Sequence, residues 1–140
     1  MITATIRSNL PALERQVAAA ALEVCLAGAT ATAQDAREQV EHQVGSGEKY
    51  SGLPNRSSAP GEAPVNQTEG LLGTIGTDQG EDIQGIGVDA VAGDGSGQAM
   101  ALEAGTSNMA PRPFMGPAAV VGFEAAEHVL GQVARTLGSI

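Results

Sequence analysis

Few side chains in this sequence have the types that perform covalent or metal chemistry. The chain has a single cysteine, Cys25, and two histidines, His42 and His128. Cys25 falls beside the apolar positions of a predicted helix, where a free cysteine behaves as a small hydrophobic side chain. Neither histidine belongs to a cluster with the spacing of metal ligands, although a site that joins both with Glu41 or Glu127 stays open. We therefore predict no catalytic residue, no metal site and no cofactor.

Two glycine-containing strings imitate ligand-binding motifs. Residues 85–90 read Gly-Ile-Gly-Val-Asp-Ala and match the letters of the dinucleotide fingerprint G-x-G-x-x-A. That fingerprint works only between a strand and a helix of a βαβ unit, whereas here it falls inside a predicted strand that another turn follows. The Asp/Gly stretch 89–97 has neither the EF-hand spacing nor the nine-residue calcium repeat. Both strings are interpreted as parts of a sheet, and the protein is not predicted to be an enzyme.

The charge balance excludes further classes of function. With 16 acidic residues against 7 basic ones, the formal net charge is -9. Autonomous nucleic-acid binding depends on Lys and Arg that neutralise phosphates, and an anionic membrane surface repels an acidic protein. A single cysteine cannot form an intrachain disulfide, and no uninterrupted run of about 18 apolar residues predicts a membrane span. We expect a soluble, intracellular chain.

Two helices are predicted from apolar residues that recur at three- and four-residue steps. The first runs from about Pro11 towards Val44, and the second from about Pro117 to Gly138. Their apolar stripes are Leu10, Leu13, Val17, Ala20, Val24 and Ala31, and Val120, Phe123, Ala126, Leu130, Val133 and Leu137. An unbroken first helix would span roughly 50 Å, more than so small a domain covers, so part of it would pack on a neighbour. A helix that kinks at Gly28 is the alternative.

The middle of the chain changes its pattern. Residues 45–67 are rich in Gly and Pro and predict a long loop, an arm that a partner orders. Alternating apolar residues then predict three strands, near 71–75, 86–90 and 100–102, with a flexible hairpin tip at 92–97 between the last two. The predicted fold is α+β: an antiparallel sheet of three to four strands packed with a long N-terminal helix and a C-terminal helix, in one domain over residues 1–140.

The core of such a domain must be built from small side chains. The chain has no Trp, one Tyr and two Phe, Phe114 and Phe123. Ala, Val, Leu and Ile each bury little area, so a monomer of this size gains little stability from its core. This composition indicates association with other chains.

Residues 101–118 read Ala-Leu-Glu-Ala-Gly-Thr-Ser-Asn-Met-Ala-Pro-Arg-Pro-Phe-Met-Gly-Pro-Ala. This string resembles the C-terminal signature of the tail-completion (head–tail joining, or neck) family of long-tailed bacteriophages. In that family a strand ends in a Glu-x-Gly-Thr turn, then an Ala-Arg-Pro-Phe segment and a Pro-Ala helix start follow. The matching positions are Glu103, Gly105, Thr106, Ala110, Arg112, Pro113, Phe114, Pro117 and Ala118.

Other strings are similar to the same family. Residues 58–64, Ser-Ala-Pro-Gly-Glu-Ala-Pro, look like its S-A-P-G-x-P region, and residues 68–75 look like the strand start that follows it, with the usual glycine displaced to Gly70. Residues 10–15 look like its N-terminal helix entry. The chain departs from the family where Ala101, Leu102 and Ala104 stand at commonly aromatic positions, and its 45–59 region is longer.

The resemblance implies a structural virion protein, made in the cytoplasm of the host bacterium and located at the head–tail junction. Its subunits would form a ring, usually a hexamer, that terminates the tail tube. The implied partners are other copies of the chain, the tail-tube protein and a head-closure or connector protein, while DNA passes through the lumen without specific binding. The alternatives are another neck or tail subunit, such as a head-closure ring or tail-tube protein, and a small non-viral binding module.

The matched strings also supply the candidate interface residues. These are Pro60, Gly61, Pro64, Leu71, Glu103, Gly105, Thr106, Arg112, Pro113, Phe114 and Pro117. Phe114 is the expected hydrophobic anchor. Arg112 is the only base between Arg56 and Arg135, and is thus a candidate for a specific salt bridge within or between chains. A loop that only packs on its own helix is the alternative to an interface.

Overall fold

The computed structural model describes residues 10–67, 70–82 and 85–138. Two long helices, a two-stranded hairpin and one short helix make up its regular structure. In chain order these are helix α1 (Leu10–His42), a 3-10 turn (Leu72–Thr74), strands β1 (Gly76–Asp82) and β2 (Gly85–Val91), and helices α2 (Gln98–Ala104) and α3 (Met115–Gly138). Residues 68 and 69 of the predicted strand start lie outside the described ranges.

Helix α1 continues without a break through Gly28, so the unbroken helix is the alternative that the structure adopts. Gly28 allows α1 to pack closely on α3 and does not kink the helix. A side chain at position 28 would place its Cβ 3.1 Å from the Cβ of Ala126 on α3 and 3.3 Å from the carbonyl oxygen of Gly122. Both distances are tighter than ordinary van der Waals contact.

Helices α1 and α3 run antiparallel, and small residues line their contact. A Cβ at Gly122 would overlap the hydroxyl of Thr32, and that hydroxyl donates a hydrogen bond to the Gly28 carbonyl at 2.8 Å. Farther along the pair, the Gln39 side-chain amide donates to the carbonyl of Phe114 at 3.1 Å. The helices therefore approach so closely at Gly122 that no larger side chain fits between them.

This close approach turns half of the predicted apolar stripe of α3 away from α1. Val120, Phe123 and Leu130 are 59%, 71% and 54% exposed, whereas the other three members, Ala126, Val133 and Leu137, are half-buried. The buried residues of α3 are instead Ala118 and Gly122. The small residues face α1 because only they fit there, and the largest apolar side chains are left outside.

The sheet is an antiparallel hairpin in which Gly76 pairs with Val91 and Asp82 with Gly85. The prediction of a mixed α+β fold is confirmed, but the described residues form two strands instead of three to four. The expected first strand at 71–75 is mostly a 3-10 turn, and β1 lies between the first two predicted strands. An isolated hairpin is marginally stable, so its packing against α1 is what supports it.

The predicted third strand is wrong, because residues 98–104 form helix α2. Met100 and Leu102 alternate as in a strand, but three positions cannot distinguish the two periods. The segment Gln-Ala-Met-Ala-Leu-Glu-Ala consists of strong helix formers, and Gly97 and Gly105 end it with positive φ angles of 86° and 78°. The expected hairpin tip at 92–97 therefore connects β2 to a helix.

The long loop at 45–67 folds back on itself. Between residues 47 and 57, which we call the projecting loop, Gly47 donates to the Ser57 carbonyl at 2.8 Å and Ser57 donates to the Glu48 carbonyl at 2.9 Å. A turn closes the tip, where Leu53 donates to the Tyr50 carbonyl. The order that a partner was expected to provide is thus partly supplied by the loop's own backbone bonds.

A small core lies where the C-terminal half of α1 meets the start of α3. Phe114 and Val40 are its largest fully buried side chains, and the others are smaller aliphatic residues. The cluster comprises Ala33, Ala36, Val40, Ala63, Ile75, Ala99, Phe114 and Ala118. The N-terminal half of α1 and the C-terminal half of α3 extend beyond this cluster, which leaves much of the helix pair outside the core.

Candidate interaction site

The two strings that resemble the phage family fold together. We call the contact between residues 58–64 and 101–118 the junction. Gly61 donates its backbone N–H to the Pro111 carbonyl at 3.0 Å, and the Arg112 side chain donates through Nε to the Ser58 carbonyl at 3.1 Å. Segments about fifty residues apart in the chain therefore form one local structure.

Glu103 holds the start of α3. Its carboxylate accepts hydrogen bonds from the backbone N–H groups of Phe114 at 2.8 Å, Met115 at 2.9 Å and Gly116 at 2.7 Å. The first N–H groups of a helix have no partner within the helix, and a negative charge there interacts favourably with the helix dipole. Glu103 is thus a cap supplied from the preceding helix, α2, a role that the sequence did not reveal.

Arg112 bonds to backbone oxygens. Its guanidinium donates to the carbonyls of Ser58 and Ala110, the latter at 2.8 Å, and its own N–H donates to the Leu102 carbonyl at 2.6 Å. It also lies near enough to Glu62 to contribute to lowering the pKa of that carboxyl. Within the described structure Arg112 thus bonds to backbone carbonyls, and a salt bridge to another chain stays a prediction.

Glu62 joins the loop to the junction. Its carboxylate accepts from the Ser46 hydroxyl at 2.5 Å and from the backbone N–H groups of Ala59, at 2.8 Å, and Ser46, at 3.2 Å. The Ser46 hydroxyl is the main cause of the lowered pKa of Glu62, followed by the two backbone bonds. All three favour the ionised carboxylate.

Gly105 turns the chain between α2 and the junction. Its φ is +78°, and an added Cβ would lie 2.8 Å from the Met109 carbonyl oxygen and 2.9 Å from Cδ of Pro111. Thr106 and Met109 then form an isolated bridge around the following turn. Only glycine meets both the backbone angle and the close approach.

The candidate interface residues differ in exposure. Pro60, Gly61, Thr106 and Pro117 are exposed, Leu71, Glu103, Gly105, Arg112 and Pro113 are half-buried, and Pro64 and Phe114 are buried. Phe114 anchors the chain's own core, since it is fully buried. Most of this set builds the junction, and its outward-facing members are the four exposed residues.

An open groove of about 560 Å³ lies beside the junction. Residues of the loop form one wall and residues of α2 and the 106–112 turn form the other. They include Tyr50, Leu53, Pro60, Pro64, Leu71, Leu102, Met109 and Arg112. Of the described residues that line it, Tyr50 and Arg112 are the ionisable ones, and Gln67, Gln98 and Asn108 are among its uncharged polar ones, so the groove offers apolar contact, amide groups and one cation.

Cys25, His42 and His128 do not line the groove or the junction. Cys25 is exposed on α1 and does not pack as the small hydrophobe that was expected. His42 is exposed at the end of α1, and His128 on α3 lies 3.2 Å from the side-chain nitrogen of Gln132. Within the described ranges no group of three or more His, Cys, Asp or Glu side chains could hold a metal ion.

One described helix passes a length-and-composition test for a membrane span. It covers Ala12–His42 of α1, although three charged residues, Glu14, Arg15 and Glu23, interrupt its first half. Core helices of soluble proteins and signal sequences also pass this test, so the finding carries little weight.

Surfaces outside the matched strings were missed by the sequence analysis. Val120, Phe123 and Leu130 lie at steps of three and seven residues and form what we call the α3 outer stripe. A second, smaller-residue stripe on the same helix, with Ala118 and Gly122, was the signal that could have identified the packed face. Small residues at a helix contact allow close approach and displace larger ones outward.

Comparison with known proteins found no matching family model, no matching curated protein and no matching solved structure.

Proposed function

We propose that this chain is a structural subunit of the head–tail junction of a long-tailed bacteriophage. Its copies form a ring, usually of six, that terminates the tail tube and joins it to a head-closure or connector protein. Its role is assembly, which requires surfaces and not a catalytic group.

The observation that carries the proposal is the contact between residues 58–64 and 101–118, defined above as the junction of this chain. The matched positions have separate local tasks: Glu103 caps α3, Gly105 allows a turn, Arg112 joins the two strings and Phe114 fills the core. A chance match of letters would not be expected to fall on residues that cooperate in this way. The matched residues thus cooperate locally, which supports the proposal, although their Glu-x-Gly-Thr turn ends helix α2 where the family has a strand.

The exposed apolar surface supports self-association. Phe123, Met100 and Val44 are 71%, 71% and 84% exposed, and their burial against another copy would stabilise an assembly. A contact between two different surfaces of the same chain forms a ring when its rotation closes. The net charge of -9 is consistent with a lumen that lets DNA pass without binding.

The experiment is native mass measurement of the purified chain over a wide concentration range, with electron microscopy of the particles. The expected species is a ring with a central channel and a mass of about 84 kDa, six copies of the 14.0 kDa chain. A monomer that forms rings only on purified tail tubes would also agree with the proposal. A closed dimer without a channel would contradict it and favour the small binding module, with the groove beside the junction as its site.

A further inference from the structure

Two exposed apolar surfaces of this chain carry opposite local charge. One is the α3 outer stripe of Val120, Phe123 and Leu130. The other is the projecting loop together with Val44, which precedes it. The loop follows the C-terminal end of α1 and the stripe lies along α3, so we consider a contact between them that joins two copies.

The α3 outer stripe has an acidic margin. Glu124 and Glu127 are exposed beside it, and between Met115 and Ala134 the helix contains no Lys or Arg. Glu127 lies four residues after Phe123 and three before Leu130, which places its carboxylate on the same side of the helix. A partner of this stripe must therefore offer apolar contact together with positive charge.

The projecting loop meets that requirement. Residues 44–57 contain Lys49 and Arg56 against one acid, Glu48, so this segment is net positive by sequence, with Glu41 and Glu62 lying beside its base. Val44 is 84% exposed and Tyr50 is 52% exposed. Apolar and cationic groups thus occur together on this loop.

Both cations remain available to a carboxylate. The Lys49 ammonium donates to the carbonyls of Tyr50 and Leu53, and the Arg56 guanidinium donates to the Gly47 carbonyl at 3.2 Å. Carbonyl oxygens orient these groups but do not neutralise their charge, because they carry no net charge themselves. Each cation can still donate to a second acceptor.

The loop has a defined shape at its base. Besides the paired backbone bonds between its two sides, Gly47 packs so closely that an added Cβ would lie 2.8 Å from the Ser57 carbonyl oxygen. A loop that is already shaped loses less conformational entropy when it docks.

We propose that the projecting loop of one copy docks on the α3 outer stripe of a second copy, with Lys49 and Arg56 facing Glu124 and Glu127. This inference rests on the proposed ring. It names the second copy as occupant because an acidic chain repels itself except where a basic segment meets an acidic face, and this loop holds two of the chain's seven basic residues. Stripe-to-stripe pairing would instead bring glutamates together. A contact between two unlike surfaces is the head-to-tail kind that closes rings.

Charge reversal on each side tests the contact. The loop variant carries Lys49→Glu and Arg56→Glu, and the stripe variant carries Glu124→Lys and Glu127→Lys. Sedimentation of each variant should show self-association weakened roughly tenfold or more, whereas all four changes in one chain should restore it to within about threefold. The matched control, Glu14→Lys with Glu23→Lys, also reverses two exposed acids on a helix and should leave self-association unchanged. Circular dichroism checks that each variant folds.

Mixing gives the sharper result. The stripe is intact in the loop variant, and a Phe123→Asp variant keeps an intact loop. Combined, they should form a two-copy complex that grows no further, since only one of their two possible contacts is intact. If the loop variant and the stripe variant both still assemble, the docking contact is overturned. It is also overturned if the variant with all four changes does not regain assembly. Either result leaves the ring proposal standing. A wild-type chain that stays monomeric at every concentration also overturns the contact. The proposed function is then tested separately, by whether the chain forms rings on purified tail tubes.

Discussion

The carboxylate of Glu103 accepts a hydrogen bond of 2.8 Å from the backbone N–H of Phe114, and with it begins the capping of α3. The same side chain accepts from the next two N–H groups. Phe114 itself is fully buried in the core. This hydrogen bond therefore connects the end of α2 to the start of α3 at the residue whose side chain fills the core.

Removal of this cap should lower stability. Replacing Glu103 with Ala leaves three N–H groups without their acceptor, and we expect the free energy of unfolding to fall by about 1–2 kcal/mol in urea titration. The control is Glu41→Ala, an exposed residue on α1 that should change the free energy of unfolding by less than about 0.5 kcal/mol. Equal effects of the two substitutions would contradict the capping role.

Gly122 should not tolerate a side chain. A Cβ there overlaps the Thr32 hydroxyl and approaches the Gly28 carbonyl oxygen, so Gly122→Ala should destabilise the protein by about 1–3 kcal/mol. Gly131 on the same helix has only the Arg135 guanidinium at 3.7 Å, and Gly131→Ala should stabilise by up to about 1 kcal/mol through helix propensity. Thermal unfolding of the two variants should give shifts of opposite sign. A stabilised Gly122→Ala would show that the helices are not in close contact at this point.

The two phenylalanines should respond oppositely in two assays. Phe114→Ala removes a fully buried ring and should cost about 3–5 kcal/mol of stability. Phe123→Ala alters a ring that is 71% exposed, so it should leave the unfolding of the separated subunit nearly unchanged and weaken self-association. Urea unfolding at low protein concentration measures the first effect, and sedimentation measures the second. A large loss of subunit stability in Phe123→Ala would place that ring in the core.

The carboxyl of Glu62 should titrate below its ordinary range. Its pKa is lowered from 4.5, mainly by the Ser46 hydroxyl. Because the folded-state pKa is the lower one, the stabilising contribution is present above the unfolded value and is lost as the pH falls through the folded pKa. Ser46→Ala should move the Glu62 pKa upwards in a carbon-13 NMR titration.

An internal control is available in the same titration. The pKa of Asp94 is lowered chiefly by the Ser96 hydroxyl, so it should stay constant in Ser46→Ala. If the pKa of Glu62 and the pKa of Asp94 are both unchanged in Ser46→Ala, the lowered pKa of Glu62 is caused by the backbone hydrogen bonds alone.

The short elements show where sequence reasoning ends. Residues 98–104 were predicted as a strand from two alternating apolar residues, but their helix propensity and two flanking glycines with positive φ make a helix. Within seven residues the two periodicities overlap, so packing decides between them. The start of β1 was misplaced because a tertiary contact shapes the residues before it. Arg37 on α1 donates to the Leu72 and Ile75 carbonyls and holds them in a turn.

By itself the sequence determined the two long helices, the Gly/Pro-rich segment between them and the mixed α+β class, because apolar spacing and chain-breaking residues act locally. Tertiary structure alone decided which side of α3 is covered, since that depends on how closely Gly122 approaches Thr32, ninety residues earlier in the chain. It also decided that Glu103 caps α3 and that Phe114 belongs to the core. These roles depend on contacts between segments distant in sequence, and a hydrogen bond or a packed ring exists only after the whole chain has brought its partners together.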